Sequence, residues 1–135
     1  NKLAAGLINK TEIGLKKEIE VDKKRSLINE IVDRSDFSFS DNPQQAAFDY
    51  EKLNFPLFIR NRKAGDSFKP LGMSGHKKVK DILIDKKVPK YERDQLLIVV
   101  DADDNIVWLA PYKIADNYKL SQETDKVLIL RLKYK

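Results

Sequence analysis

Short apolar stretches with a two-residue period, each bounded by turn residues, limit the fold of this chain more than any other feature. Residues 96–100 and 106–109 are two such stretches, and the acidic residues between them predict a hairpin turn. Residues 126–134 alternate in the same way, and residues 46–50 and 57–60 have the composition of shorter strands. The spacing leaves no room for the long crossovers that parallel strands need, so antiparallel pairing is expected.

The first third of the chain gives a weaker signal. Ile13, Leu15, Ile19 and Val21 fall on odd positions, which predicts one half-buried strand. Residues 23–36 fit either a helix face or a strand, and we leave both alternatives open.

A single helix is expected in the middle of the chain. Val79, Ile82 and Leu83 have the i, i+3, i+4 spacing of one helix face. We expect Ser74 to cap this helix and Pro89 to end it, with a further helical turn over residues 91–94. The elements together predict an α+β fold: a mainly antiparallel, β-sandwich-like domain with one or two short helices.

The composition excludes several classes of protein. The chain has 135 residues, enough for one hydrophobic core, and it has no cysteine. Disulfides, thiolate metal sites and cysteine nucleophiles are therefore excluded, and the composition suits a reducing cytoplasm. No apolar run approaches the roughly 18 residues of a membrane span, so no membrane partner is expected.

Positive charge is concentrated in one quarter of the sequence. Residues 60–93 contain eleven Lys or Arg and four Asp or Glu, which gives +7, whereas the whole chain carries +5. The rest of the chain therefore carries −2. This distribution is typical of a surface that binds a polyanion, although a solvated lysine-rich face is the alternative.

Few residues offer catalytic chemistry. His76 is the only histidine, and Asp66 and Asp81 form at most a carboxylate pair. A free-standing enzyme that uses these three residues is an alternative, but we predict no catalytic residue. Residues 101–105 lack the glycine and glutamate of a calcium-binding EF-hand loop, so we predict a plain turn and no metal site.

The stretch from Gly72 to Lys78 is the most informative local feature. Cations in the first turn of a helix oppose its dipole, unless an anion binds to the free amides there. We therefore predict an anion site at this helix start. The alternative is that the helix begins near Val79 and that the lysines lie in a loop.

Arg60 and Arg62 alternate along a strand, so their side chains share one face. Forked guanidinium groups suit phosphate contacts. We expect an ion pair with Asp66 to hold at least one of the two.

These residues form a specific pattern. It reads Arg60-x-Arg62-Lys63-x-Gly65-Asp66-x-Phe68-x-Pro70-x-Gly72, then Gly75-x-Lys77-Lys78-x-Lys80-Asp81, then Pro89-x-x-x-Arg93. The pattern resembles the C-terminal domain of bacterial tRNA(Ile)-lysidine synthetases, and the resemblance covers about residues 46–134. It implies a tRNA-binding domain at residues 46–135, preceded by a β-rich segment, residues 1–45, that packs on it or leads into it.

The resemblance also implies a function. Members of this family join lysine to the wobble cytidine of a tRNA, using ATP and Mg²⁺ in an N-terminal PP-loop domain whose Ser-Gly-Gly-x-Asp-Ser signature does not occur here. The chain is then the module that docks the tRNA at its acceptor stem, inactive alone and without a cofactor of its own. The implied partners are tRNA and the PP-loop domain, and we leave open whether a second copy of the chain also binds, as a homodimer. A protein-interaction module for an acidic partner is the alternative from another class.

We assign the tRNA contacts that the resemblance implies to basic residues in and beside this pattern: Arg60, Arg62, Lys63, Lys69, Lys77, Lys78, Lys80 and Arg93. The chain departs from the family at Ser67 and Lys69, where relatives have arginine. It also has Ala110-Pro111-Tyr112-Lys113 where the family has Pro-Gly-x-Arg. We therefore exclude Ser67 from the site and leave Lys113 undecided.

Overall fold

The computed structural model describes residues 8–14 and 17–135. Two antiparallel sheets and a small two-stranded ribbon make up the described chain. The strands are β1 (Thr11–Ile13), β2 (Glu18–Glu20), β3 (Arg25–Asp33), β4 (Gln45–Asp49), β5 (Leu57–Arg60), β6 (Ser67–Phe68), β7 (Lys77–Lys78), β8 (Leu97–Val100), β9 (Ile106–Ala110), β10 (Lys113–Ile114) and β11 (Lys126–Tyr134). The helices are α1 (Val79–Asp85) and α2 (Lys90–Arg93), so the expected α+β class is confirmed.

The first sheet has the order β1-β5-β8-β9-β10 and positions the basic segment. Strands β8 and β9 are buried along their whole length, because their residues are apolar on both faces. Strand β5 pairs with β8, with Arg60 opposite Ile98. The segment that follows Arg60 therefore starts from an interior strand of the sheet, with β1 on one side and β8 on the other.

The second sheet has the order β2-β3-β11-β4. Strand β11 pairs along its full length with β3, from Lys126 opposite Asp33 to Tyr134 opposite Arg25. Alternate residues of β11 point inward, and Leu128 and Leu130 are buried on that face. The ring of Phe48, on β4, packs edge to face on the ring of Trp108, on β9, with 6.5 Å between the ring centroids. This contact joins the two sheets across one core.

The first third of the chain differs from the expectation. The single strand predicted from Ile13 to Val21 is wrong, because β1 pairs with β5 in the first sheet and β2 pairs with β3 in the second. Leu15, part of that prediction, lies outside the described residues. The open alternatives for residues 23–36 resolve in favour of a strand, since β3 spans most of that stretch.

Helix α1 begins and ends at other residues than the sequence predicted. Ser74 does not cap it, because Lys77 and Lys78 pair with β6 and keep the backbone extended as far as Val79. Pro89 does not end it either. The helix ends in a Schellman motif in which the Lys87 amide donates to the Ile84 carbonyl and the Val88 amide to the Leu83 carbonyl, both at 3.0 Å. Lys87 occupies the left-handed position of this motif, at φ 56°.

No helix within residues 8–14 and 17–135 is both long and apolar enough to cross a membrane.

A glycine at position 87 should stabilise the protein. Lys87 has a left-handed backbone that costs a side-chain-bearing residue about 1 kcal/mol, and glycine adopts it without that cost. We expect Lys87→Gly to raise the free energy of unfolding by about 0.5–1 kcal/mol in urea denaturation. Lys86→Gly is the matched control and should lower it, because Lys86 has a negative φ of −85°. Destabilisation by both substitutions would contradict the assigned helix end.

Candidate nucleic-acid interface

Arg60 lies at the end of β5, with its side chain only 9% exposed and its guanidinium group bound on several sides. Its Nη1 and Nη2 donate to the two carboxylate oxygens of Asp66 at 3.0 and 2.9 Å. Nε donates to Asp104 at 3.1 Å, and Nη1 also donates to the Asn61 carbonyl at 2.9 Å. Burial alone would lower the pKa of Arg60, but the hydrogen bonds to Asp66 and Asp104 raise it. The expectation that Asp66 holds one of the two arginines is confirmed.

Asp66 closes the turn that follows the strand. Its amide donates to the Lys63 carbonyl at 3.2 Å, and its carboxylate accepts from the Lys63 amide at 2.8 Å. Gly65 has φ +87°, the backbone that the third residue of a type II turn requires. The carbonyl of Asp66 accepts the Val79 amide at 2.9 Å, so the first N–H of α1 is occupied by protein. The helix begins at Val79, which is the alternative given above, so the expected placement of Lys77 and Lys78 in its first turn is wrong and the first of its amides is not free for an anion.

Asp104, in the turn between β8 and β9, connects that hairpin to the basic segment. Its carboxylate accepts from Arg60 and, at 2.8 Å, from Nζ of Lys63, and Lys10 lies at 3.9 Å. Burial would raise the pKa of Asp104, but the hydrogen bonds from Lys63 and Arg60 bring it below its ordinary value.

Arg62 and Arg93 are held by backbone carbonyls. Nε of Arg62 donates to the carbonyl of Arg93 at 3.3 Å, and Nε of Arg93 donates to the carbonyl of Val88 at 2.8 Å. Both side chains are half-buried, and neither forms an ion pair with a carboxylate of the described chain. Two guanidinium groups are thus fixed through one nitrogen each, with their terminal nitrogens left for an anion.

The helix that carries Arg93 is anchored from the first sheet. The hydroxyl of Tyr112 donates to Glu92 at 3.2 Å. Burial and the neighbouring Glu92 carboxylate raise the pKa of Tyr112 to about 12, so the hydroxyl keeps its proton at neutral pH.

The glycine loop is fixed by Asp116. The Met73 amide donates to the Pro70 carbonyl at 3.0 Å, and Gly72, at φ +83°, occupies the left-handed position of that turn. The Gly72 amide donates to the Asp116 carboxylate at 3.0 Å, and Nζ of Lys69 lies 3.5 Å from the same group. Hydrogen bonds from Gly72 and then Lys119 lower the pKa of Asp116.

The remaining lysines divide into two groups. Lys77 forms an ion pair with Asp85, whereas Lys78 and Lys80 are exposed and have no carboxylate partner within the described ranges. Lys113 lies on the edge strand β10, opposite Leu109, and no hydrogen bond or ion pair of the described chain joins its side chain to the basic segment. Ser67, on β6, is exposed.

The residues of the enzymatic alternative are not joined into a site. Asp66 is occupied by Arg60 and Lys63, and no hydrogen bond or ion pair of the described chain connects it with His76 or Asp81. The acidic turn is a hairpin turn, as expected, since Asp101 accepts the amides of Asp103 and Asn105 at 2.9 Å. No group of three or more His, Asp or Glu side chains suited to a metal ion occurs among residues 8–14 and 17–135.

Asp104 and Asp116 are the site residues that sequence reasoning missed. Both lie outside residues 60–93, yet they hold Lys63 and Lys69, respectively. The available signal for Asp104 was the excess of acids in the turn of residues 101–105, and no pattern in the sequence marked Asp116.

The fold and this surface define an α+β domain with a basic face, and comparison with known structures agrees on the fold. A crystal structure of the TILS C-terminal domain superposes with a TM-score of 0.81 at 24% identity, over 93% of this chain and 96% of that one. An N-terminal fragment of the phenylalanyl-tRNA synthetase β-subunit from Pyrococcus horikoshii superposes with a TM-score of 0.58 at 19% identity. This match covers 67% of this chain and 28% of that one.

Sequence comparison identifies the family. The sequence model of the family called TilS substrate C-terminal domain matches residues 57–132, which is more than half of the chain. The chain therefore belongs to this family. The tRNA(Ile)-lysidine synthase of Caldanaerobacter subterraneus is 40% identical over 83 residues, 62% of this chain and 18% of that protein. The Bacillus subtilis enzyme of the same name is 50% identical over 80 residues, which are 56% of this chain and 17% of that protein. The chain thus spans about a fifth of the length of these relatives, and the resemblance noted from the sequence is confirmed.

Removing the Asp104 carboxylate should make stability less sensitive to acid. Because the folded-state pKa of Asp104 is lowered, its contribution is present above the ordinary pKa of about 4 and is lost as pH falls through the folded-state value. We expect Asp104→Asn to destabilise the protein at pH 7 and this difference to shrink below about pH 4, as measured by urea denaturation across pH. Asp94→Asn, at an exposed unpaired carboxylate of the described chain, is the control. A loss of unfolding free energy in Asp104→Asn that is the same at every pH would contradict the prediction.

Proposed function

We propose that this chain is the tRNA-docking module of a lysidine-forming ligase. It would hold a tRNA at its acceptor stem while a PP-loop domain elsewhere in the polypeptide converts the wobble cytidine with ATP, Mg²⁺ and lysine. The observation that carries the proposal is the pair Arg62 and Arg93, whose guanidinium groups are anchored by backbone and not neutralised by any described carboxylate. The family membership supplies the RNA class, since relatives are named tRNA(Ile)-lysidine synthases.

The chemistry of the surface suits an RNA helix. An A-form duplex hides the edges of its bases in a deep major groove and is recognised mainly by shape, phosphates and ribose hydroxyls. Anchored arginine forks suit phosphate oxygens, and the exposed Lys78 and Lys80 add point charges without a fixed geometry. We therefore assign the direct phosphate contacts to Arg62 and Arg93, with Lys78 and Lys80 beside them.

Three other lysines assigned to tRNA from the sequence have a different role in this proposal. Lys63, Lys69 and Lys77 each have a carboxylate partner, so each would have to exchange it for a phosphate. We propose that they contribute mainly to the long-range field that attracts the RNA.

We also propose a division of the chain. Residues 46–135 carry the whole RNA-binding surface, and residues 1–45 contribute strands to both sheets and no RNA contact. The module would act in the cytoplasm, together with the PP-loop domain of its own polypeptide and, in a homodimer, a second copy.

Neutralising the arginine pair should weaken RNA binding without unfolding the domain. We expect Arg62→Gln with Arg93→Gln to lower the affinity for a tRNA transcript, because two anchored cations no longer meet phosphates. The slope of log affinity against log salt should become shallower by about 0.7–0.9 for each phosphate that the variant no longer neutralises. Filter binding between about 50 and 200 mM salt measures the slope.

The control removes the same charge from residues that the proposal leaves out. Lys86→Gln with Lys90→Gln, at exposed positions with no partner in the described chain, should leave the slope nearly unchanged. Equal effects of the two double variants would show that only net charge matters. Displacement of the tRNA by polyglutamate at matched charge would favour the acidic-protein alternative.

A further inference from the structure

We propose that Arg60 is a positioning residue of the RNA-binding surface and does not itself touch the RNA. The inference rests on the proposed function and deepens it, because it separates the arginine that builds the surface from the arginines that use it. The residue concerned is the first arginine of the pattern Arg60-x-Arg62, both of which the family resemblance assigns to tRNA.

The donors of Arg60 are directed into the protein. Its guanidinium makes four hydrogen bonds at 2.9–3.1 Å, to Asp66, Asp104 and the Asn61 carbonyl. A guanidinium has five N–H groups, so at most one is left over. The side chain is 9% exposed, and a phosphate could reach it only if the ion pair opened.

Asp66 transmits the position of Arg60 to the surface. One of its carboxylate oxygens accepts from both Nη1 of Arg60 and the amide of Lys63, while the other accepts from Nη2. Three donors converge on one side chain, and only a charged carboxylate offers enough acceptor capacity for all of them. The main chain from Arg60 to Asp66, which carries Arg62, is thereby fixed at both ends.

Asp66 also contacts the segment that carries the exposed lysines Lys78 and Lys80. The Asp66 carbonyl accepts the amide of Val79 at 2.9 Å. Lys78 and Lys80 flank Val79 in the chain, so their backbone positions depend on the same contact. The ion pair thus fixes the chain between Arg60 and Asp66, which carries Arg62, and the backbone carbonyl of Asp66 adds a contact to the start of α1, which the β6–β7 pairing sets.

Arginine is required for this role because the geometry is forked. Two parallel N–H groups meet two carboxylate oxygens while Nε points to a second acid, Asp104. A lysine ammonium is a single point and cannot span both carboxylates with the same directions.

Asp66→Asn gives the sharpest test, because a positioning role and a purely electrostatic role of Asp66 predict opposite changes in RNA affinity. Removing an acid from a basic surface should strengthen RNA binding if Asp66 acts only through its charge. If Asp66 and Arg60 position the surface, the amide fails to satisfy three donors and binding to a tRNA transcript should weaken, by about tenfold for the removal of one well-placed charged hydrogen bond. Asp94→Asn removes the same charge from an unpaired, exposed residue of the described chain and should leave binding unchanged or slightly stronger.

A second variant reports on Arg60 directly. Arg60→Lys keeps the charge, and we expect weaker binding with an unchanged salt slope, since every phosphate keeps its cation. Arg62→Gln, in contrast, should make the slope shallower by about 0.7–0.9. Amide hydrogen exchange at Lys63 and Val79 supplies a reading independent of RNA: both amides should exchange faster in Asp66→Asn and Arg60→Lys, within domains that remain folded by circular dichroism.

The outcomes separate the two proposals. If Arg62→Gln leaves tRNA binding intact, the proposed function fails. If Arg62→Gln weakens binding but Asp66→Asn strengthens it, or Arg60→Lys makes the salt slope shallower, Arg60 contacts the RNA and the positioning role is overturned. Should Asp66→Asn fail to fold, the slope and exchange of Arg60→Lys decide.

Discussion

The buried ion pair between Arg60 and Asp66 is the interaction on which the basic surface depends. Removing two charges from water is costly, and their attraction offsets this only when the remaining donors and acceptors also find partners. Here both side chains meet that condition, Arg60 with four hydrogen bonds and Asp66 with three. Two of these bonds involve the main chain of Asn61 and Lys63, so the ion pair and the backbone of the turn are held together. The pair therefore defines the path of the chain after β5 more than it adds to stability.

Negative charge from outside the basic segment reshapes its surface. Counted along the sequence, residues 60–93 carry +7, but Asp104 and Asp116 approach from other elements and pair with cations of that segment. Four of the eleven cations have carboxylate partners: Arg60, Lys63, Lys69 and Lys77. Of the seven without a described carboxylate, only Arg62 and Arg93 are half-buried and anchored by a backbone carbonyl. In the proposed function, two anchored arginines would select one register on an RNA helix better than a uniformly positive face, which binds any polyanion.

Local patterns predicted the elements that local interactions determine. The hairpin of β8 and β9 and the long β11 follow from apolar periodicity and turn residues, and they occur where expected. The strand predicted from Ile13 to Val21 failed because β1 and β2 pair with different sheets, which periodicity does not encode. The start of α1 was misplaced because the β6–β7 pairing, a tertiary contact, holds Lys77 and Lys78 extended. In the site, the pairing of Asp66 with an arginine was predictable from a charge beside a turn glycine. The contributions of Asp104 and Asp116 were not, because 44 residues separate Asp104 from Arg60 and Asp116 from Gly72.

The surface is carried by elements that could not form alone. Helix α1 has seven residues and α2 has four, well below the length at which isolated helices are stable in water. They persist because Val79, Ile82 and Leu83 are buried in the core and because Tyr112 holds Glu92. The positions of Lys80 and Arg93 therefore depend on the hydrophobic core and on the hydrogen bond from Tyr112 to Glu92. In the proposed function, Arg62 and Arg93 would lose little side-chain freedom on binding RNA, because a backbone carbonyl already holds each Nε and the guanidinium group is planar.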